Sequence, residues 1–214
     1  MNKQSIAIRT DWLKASLLFV SKEATRYNLN GVAVQCDRTS LHLIATDGHR
    51  LIACRADYGD VKAESFKIII PSAIVKTVTT GKRDMFCSFC ILEHDADKWI
   101  LDRVGFDPID GTFPDWRRVV PAGTSGESAM FNGRYVGDLA KANKILGGNE
   151  IPGLCQSGPN PALVTFSQGA GDVLAVLMPD GQDIKALRDR AAGLAVTITG
   201  KRPVEAPEQE SAAA

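Results

Sequence analysis

Apolar and polar positions alternate most clearly in Leu41 to Cys54, LHLIATDGHRLIAC. Two apolar runs, Leu41 to Ala45 and Leu51 to Cys54, flank Thr46-Asp47-Gly48-His49. Asp-Gly readily supplies the positive φ angles of a tight reversal, so the pattern predicts a β-hairpin. Alternation puts Leu41 and Leu43 on one face of the first strand and Ile44 on the other, with at least one face buried. The turn then holds Thr46, Asp47, His49 and Arg50 at the edge of an apolar surface. Two readings stand: a recognition site, or turn groups satisfied by Thr46 and Asp47 with His49 and Arg50 solvated.

Ahead of the hairpin, Ser5 to Arg9 reads as a strand. Thr10 or Asp11 is the expected N-cap of a helix running to about Ala24. Leu13, Leu17 and Val20 share its apolar face, with Lys14 and Lys22 opposite. Val32 to Cys36 adds a strand beside the hairpin. The pattern restarts at Phe66: a strand FKIII, then a short helix opened by Pro71-Ser72 and stopped at Gly81. Lys76, Lys82 and Arg83 lie on or just after it. Met85 to Leu92 and Lys98 to Arg103 follow as strands, joined by a turn at His94 to Asp97, and a loop leads to TFPDWRRVVP. After a small, polar linker at Gly123 to Glu127 comes a third cycle. Here Ala129 to Asn132 reads as a strand and Arg134 to Leu146 as a helix closed by Gly147-Gly148. Leu163 to Ser167 and Val173 to Leu177 are further strands. Tyr135, Leu139, Ala142 and Leu146 form the helix's apolar stripe, with Arg134, Lys141 and Lys144 across from it and Asp138 at the margin. The unit strand, helix, strands thus recurs three times at a spacing of about 60 residues. Beyond Pro179, Asp183 to Ala192 reads as a charged helix and Leu194 to Thr199 as a strand, and the Pro/Glu/Ala-rich end as disorder.

The 214 residues carry 25 Lys plus Arg against 25 Asp plus Glu. No global field draws the chain to nucleic acid, so such binding requires a local patch. No apolar run reaches the roughly 20 residues of a membrane span, and no signal-peptide core is visible, so a cytoplasmic protein with no membrane partner is expected. The cysteines, at 36, 54, 87, 90 and 155, are odd in number and lie mostly in strands, which favours reduced thiols. Cys87-x-x-Cys90 with His94 has a zinc-like spacing, but residues three apart in a strand point to opposite faces and no second ligand pair is near; no metal is expected. No phosphate loop, nucleophile elbow or cofactor motif appears, so neither catalysis nor a cofactor is expected.

Several stretches, in this order, resemble the bacterial DNA polymerase III β subunit family, the replication sliding clamps: RYNLNGVAVQ, IATDGHRLIAC, KIIIPSAIVK, GTFPDWRRVVP, FNGRYVGDLAKA and VLMP. ATDGHRL and FPDWRRVVP are the specific signals. The resemblance spans roughly Ile6 to Pro179, corresponding to the family's second domain and the latter half of its third. It implies an α+β DNA clamp fold with helices on one face of antiparallel sheets. It also implies a complete clamp domain at 1–122, a partial one at 128–200 and a disordered tail at 201–214. By the same resemblance Lys14, Lys22, Lys76, Lys82, Arg134, Lys141 and Lys144 would face duplex DNA. Leu29, Thr46, Gly48, His49, Arg50, Leu51, Pro114, Arg118, Val119, Val176, Met178 and Pro179 would form a pocket for short peptide motifs of polymerase and clamp-loader proteins. The implied function is a processivity accessory that closes a ring by homo-oligomerising. The alternative is a clamp-like module that takes up such peptides, as a competitor or regulator, without encircling DNA. One departure stands beside the pocket: Asp180-Gly181-Gln182 follows Pro179, where the family has an apolar and a basic residue.

Overall fold

A computed structural model of the chain describes residues 4–37, 39–57, 65–81, 89–95, 98–148, 152–166, 172–181 and 189–190. Met1–Asp180 forms one compact unit and Gly181–Ala214 another. In the second unit residues 189–190 are helical. The helix and strand expected at 183–192 and 194–199 and the disordered tail otherwise lie outside the described residues.

In the first unit, strand β1 (Gln4–Arg9) leads directly into helix α1 (Thr10–Ser16). A 3-10 segment, Ala24–Leu29, precedes strands β2 (Gly31–Cys36), β3 (Ser40–Thr46) and β4 (Arg50–Asp57). Strand β5 (Phe66–Pro71), helix α2 (Ser72–Thr79) and strands β6 (Phe89–Asp95), β7 (Lys98–Leu101) and β8 (Val104–Phe106) repeat the theme. A 3-10 turn, Trp116–Val119, precedes helix α3 (Gly133–Ile145) and strands β9 (Gly153–Cys155), β10 (Ala162–Thr165) and β11 (Asp172–Leu177).

Among the described residues all strand pairings are antiparallel. Four strands form one sheet, β1-β6-β7-β8, and seven form the other, β5-β2-β3-β4-β11-β10-β9. The larger sheet runs without a break from β4 into β11, with Leu51 opposite Val176 and Arg50 opposite Leu177. Both of its faces are apolar. Leu41, Leu43, Ala45, Ile52 and Leu177 join the core beneath the helices, while Ala33, Ile44, Leu51, Ile69 and Val176 join a second cluster under Trp116 and Phe113. The alternation expected for Leu41, Leu43 and Ile44 is therefore observed, with both faces covered. Helix α1 packs against both α2 and α3, and against β3 and β4.

Several local expectations are corrected. α1 ends at Ser16 rather than near Ala24. Leu18 N–H and Phe19 N–H bond to carbonyls three residues back, at Ala15 and Ser16, and this tightening carries Phe19 fully into the core. Neither Thr10 nor Asp11 caps α1. Arg9 holds the cap position, and the Asp11 carboxylate instead accepts from the Trp12 N–H and the Arg9 guanidinium. The strand expected through Arg103 stops at Leu101, because Asp102 and Arg103, with φ of 47° and 76°, turn the chain into β8. This hairpin lacks the Gly or Asn that would have signalled it. Residues 129–132 do not join a ladder. Met130 O accepts the Asp180 N–H, and the Asn132 side chain caps α3 by accepting the Arg134 N–H at 3.0 Å. The expected strand start at 85–88 lies outside the described residues.

Candidate peptide pocket and helix-side groove

The β3–β4 hairpin positions most of the site. Its reversal is held by two side chains. Thr46 Oγ1 donates to Arg50 O at 2.8 Å and accepts the Gly48 N–H at 3.1 Å. Asp47 Oδ1 accepts the His49 and Arg50 N–H groups at 2.9 and 3.0 Å. Gly48 has φ of 90°, and a Cβ there would stand 2.7 Å from Arg26 Nη1. The turn-satisfying role of Thr46 and Asp47 is therefore observed.

Arg50 is not solvated; it is 7% exposed. Strand alternation sends its side chain to the helix face, where Nη1 lies 2.8 Å from Asp138 Oδ2 on α3 and Nε 3.1 Å from Asp47 Oδ2. Nη2 donates at 2.7 Å to Leu18 O, a carbonyl left open where α1 stops short. The guanidinium also lies over the rings of Tyr135 and Phe19, at 4.5 and 5.3 Å. Burial alone pushes the Asp138 carboxyl up, but hydrogen bonds from Lys141 and Arg50 outweigh it and hold the group below its ordinary value.

The opposite face of the same strands carries a small, largely apolar pocket of about 200 Å³. Leu29, Thr46, Gly48, Arg50, Leu51, Pro114, Val119, Val176 and Met178 line it. The structure thus brings together nine of the twelve expected positions from three distant stretches of sequence. His49, Arg118 and Pro179 are outside the lining. His49 instead borders a groove on the helix side, its ring 5.8 Å from that of Tyr135, and its carbonyl accepts the Met178 N–H at 2.8 Å. Arg118 is exposed on the 3-10 turn, and Pro179 is half-buried after Met178. Two lining residues, Asp115 and Trp116, were not anticipated. The signal was present: a 3-10 turn places residues three apart on one side, which pairs Trp116 with Val119.

Of the expected DNA-facing residues, Lys14, Lys76, Arg134, Lys141 and Lys144 lie on the three helices and Lys22 on the connection after α1. Lys22, Arg134 and Lys141 share the helix-side groove with Glu23, Asp47, Asp138 and His49. Lys141 Nζ lies 2.8 Å from Asp138 Oδ1. Lys76 on α2 and Lys144 on α3 are exposed, Lys14 on α1 is half-buried, and Lys82 lies outside the described residues. Among the described residues no group of three or more His, Cys, Asp or Glu is placed to hold a metal. Cys87 lies outside them, and Cys90 is buried, its sulfur 3.6 Å from Thr10 Oγ1. Burial drives the Cys54 thiol far above its ordinary value. None of the described helices is long and apolar enough to cross a membrane.

Residues 12–86 match the family model of the DNA polymerase III beta subunit, central domain. A beta sliding clamp of Vibrio cholerae is 31% identical over 112 residues, covering 50% of this chain and 30% of the relative. The chain thus spans about a third of the length of the curated relatives it matches. A DNA polymerase sliding clamp from Bacillus subtilis superposes with a TM-score of 0.66 at 16% identity, covering 84% of this chain and 65% of that one. The Helicobacter pylori beta clamp bound to a DNA ligase peptide gives 0.61 at 14%, covering 83% and 66%. Residues 12–86 are thus similar to the central domain of the DNA polymerase III beta subunit, and the antiparallel sheets backed by helices have the sliding-clamp fold.

Proposed function

We propose that this chain is a non-catalytic replication accessory of the sliding-clamp type, which holds duplex DNA without reading sequence and takes up short partner peptides in the Leu51–Met178 pocket. The observation that carries this reading is the two-sidedness of one hairpin. Leu51 and Thr46 face an apolar pocket assembled from three stretches of sequence, while Arg50 faces a groove lined by Lys22, on the connection after α1, and by Arg134 and Lys141 on α3. A pocket of this composition favours apolar anchors of an extended segment. Cations on helices give weak phosphate contacts compatible with sliding. In this reading residues 1–122 are a complete clamp domain and 128–200 a partial one, ring closure requires several copies, and the partners are polymerase and clamp-loader-type proteins of the cytoplasm. The clamp that superposes with bound DNA ligase peptide supports the pocket half of the reading.

A second reading, a peptide-binding module that does not encircle DNA, is favoured by one feature: Glu23, Asp47 and Asp138 lie in the same groove as the cations and offset them. Retention on nicked circular against linearised DNA, with mass measured in the same sample, separates the two. Retention on circles alone, by an oligomer, supports encirclement. Equal loss from both, with a clamp-motif peptide still bound, supports the module.

A further inference from the structure

The pocket does not end at its apolar wall. A second cleft of about 660 Å³, on the same sheet face, lies between β2, β5 and the segment 108–117. Pro114 and Asp115 line both cavities, so they form the saddle between them. The charges at this saddle are unequal. Of the two ionised residues lining the pocket, Arg50 is neutralised: its guanidinium is turned to the other face of the sheet and held by Asp138, Asp47 and Leu18 O. Asp115 is exposed, and among the described residues its carboxylate has no hydrogen bond or ion pair. The cleft adds Asp110, also exposed, and two cations, Lys67 and Arg117. Arg117 is drawn aside, its guanidinium over the Trp116 ring at 4.6 Å and 3.4 Å from Gln35 Oε1. Lys67 is exposed on β5, in register with that same Gln35. Among the described residues that line the apolar pocket, the charge left without a partner is therefore the negative one of Asp115.

We propose that Asp115 selects the occupant: a peptide whose apolar anchor fills the pocket and whose next residue over the saddle is Lys or Arg. This rests on the reading of the pocket as a peptide site and names the chemistry of its partner. An exposed carboxylate meeting a flexible cation is a weak, screened interaction, so the expected preference is about two- to five-fold in affinity at low salt, shrinking as salt rises.

The test is fluorescence anisotropy of the full chain with labelled peptides. Each has one Ile-Leu-Phe anchor in a Gly/Ser background, with Lys, Ser or Glu placed immediately before or immediately after it. On one side of the anchor, Lys binds tighter than Ser and Ser tighter than Glu. The Lys-to-Ser ratio falls to about one in Asp115→Asn. It is retained in Asp107→Asn, an exposed carboxylate outside both linings. Peptides that bind with no charge preference on either side, or a preference that survives Asp115→Asn, overturn the selection while leaving the pocket in place. Failure of every peptide to bind, the Ser forms included, overturns the pocket reading and the selection with it.

Discussion

Arg50 and Asp138 are 88 residues apart in sequence and 2.8 Å apart in space, both less than a tenth exposed. Their pair ties the hairpin that walls the pocket to the helix that carries Arg134, Lys141 and Lys144. A buried pair adds little over an apolar substitute, but removing one partner strands the other. Arg50→Met is expected to cost about 3 kcal/mol, since it removes the guanidinium from Asp138 Oδ2, Asp47 Oδ2 and Leu18 O, leaving Asp138 with Lys141 alone. Asp138→Asn should cost less, because the amide oxygen still accepts from Arg50. Denaturant unfolding of the two variants checks this order; equal small losses would show the pair to be incidental.

The hairpin, the apolar stripe of α3 and the alternation along β3 were legible in the sequence because each is a periodic signal; that both faces of β3 are covered was not. Arg50's destination was not. Its neighbours in sequence are polar turn residues, and nothing local shows that α1 stops at Ser16 and leaves Leu18 O open for a donor. Asp138 reads as a margin residue for the same reason: its partner comes from a strand outside its own unit. Of the positions implied by the resemblance, nine line the same pocket, whereas His49, Arg118 and Pro179 stand outside its lining. Trp116 was overlooked although its three-residue spacing from Val119 was visible. The Asp102-Arg103 reversal left little trace, since it has no Gly or Asn and only Asp102 is of a type that readily takes positive φ.

Gly48 should not tolerate a side chain. Its φ of 90° is unfavourable for an L-residue, and a Cβ would meet Arg26 Nη1 at 2.7 Å. Gly48→Ala is expected to lose about 1–2 kcal/mol, the backbone conformation contributing most because the Arg26 side chain is flexible and able to move. Thermal unfolding at matched concentration measures it, and an unchanged midpoint would mean that the turn relaxes freely.

Charge reversal on the helices distinguishes solvated cations from DNA contacts. Arg134→Glu and Lys144→Glu are at exposed positions, so stability should change by no more than about 0.5 kcal/mol. If each residue meets a phosphate, affinity for duplex DNA falls and the slope of log affinity against log salt drops by about one per contact. Titrations of a labelled duplex at several salt concentrations give that slope. No change in it would assign these residues to the solvated surface.

The pocket is best probed at positions that are lined but exposed, where folding is little affected. Met178 is 37% exposed and Val119 41%. Met178→Asp or Val119→Asp places a charge in an apolar wall and should weaken binding of an apolar-anchored peptide at least tenfold with a melting temperature close to wild type. Leu51→Ala, at 3% exposure, should instead lose about 2–4 kcal/mol of stability.

Acid sensitivity follows from the same ion pair. The Asp138 carboxyl is held below its ordinary value in the folded chain, so its contribution to stability is fully present above the ordinary carboxylate range, about pH 4, and is lost as pH falls through the folded value. Asp37 behaves alike: N–H and hydroxyl groups of Thr39 and Ser40 bond to its carboxylate and lower it strongly. Stability of the wild type should therefore fall below about pH 4 with both groups contributing. In Asp138→Asn the fall should be shallower, with the Asp37 share remaining, and the gap between variant and wild type should narrow as pH decreases. Denaturant midpoints across pH 2 to 7 supply the comparison. A constant gap over that range would place the Asp138 carboxyl at its ordinary value, and Arg50 would then be held chiefly by Asp47, Leu18 O and the two aromatic rings.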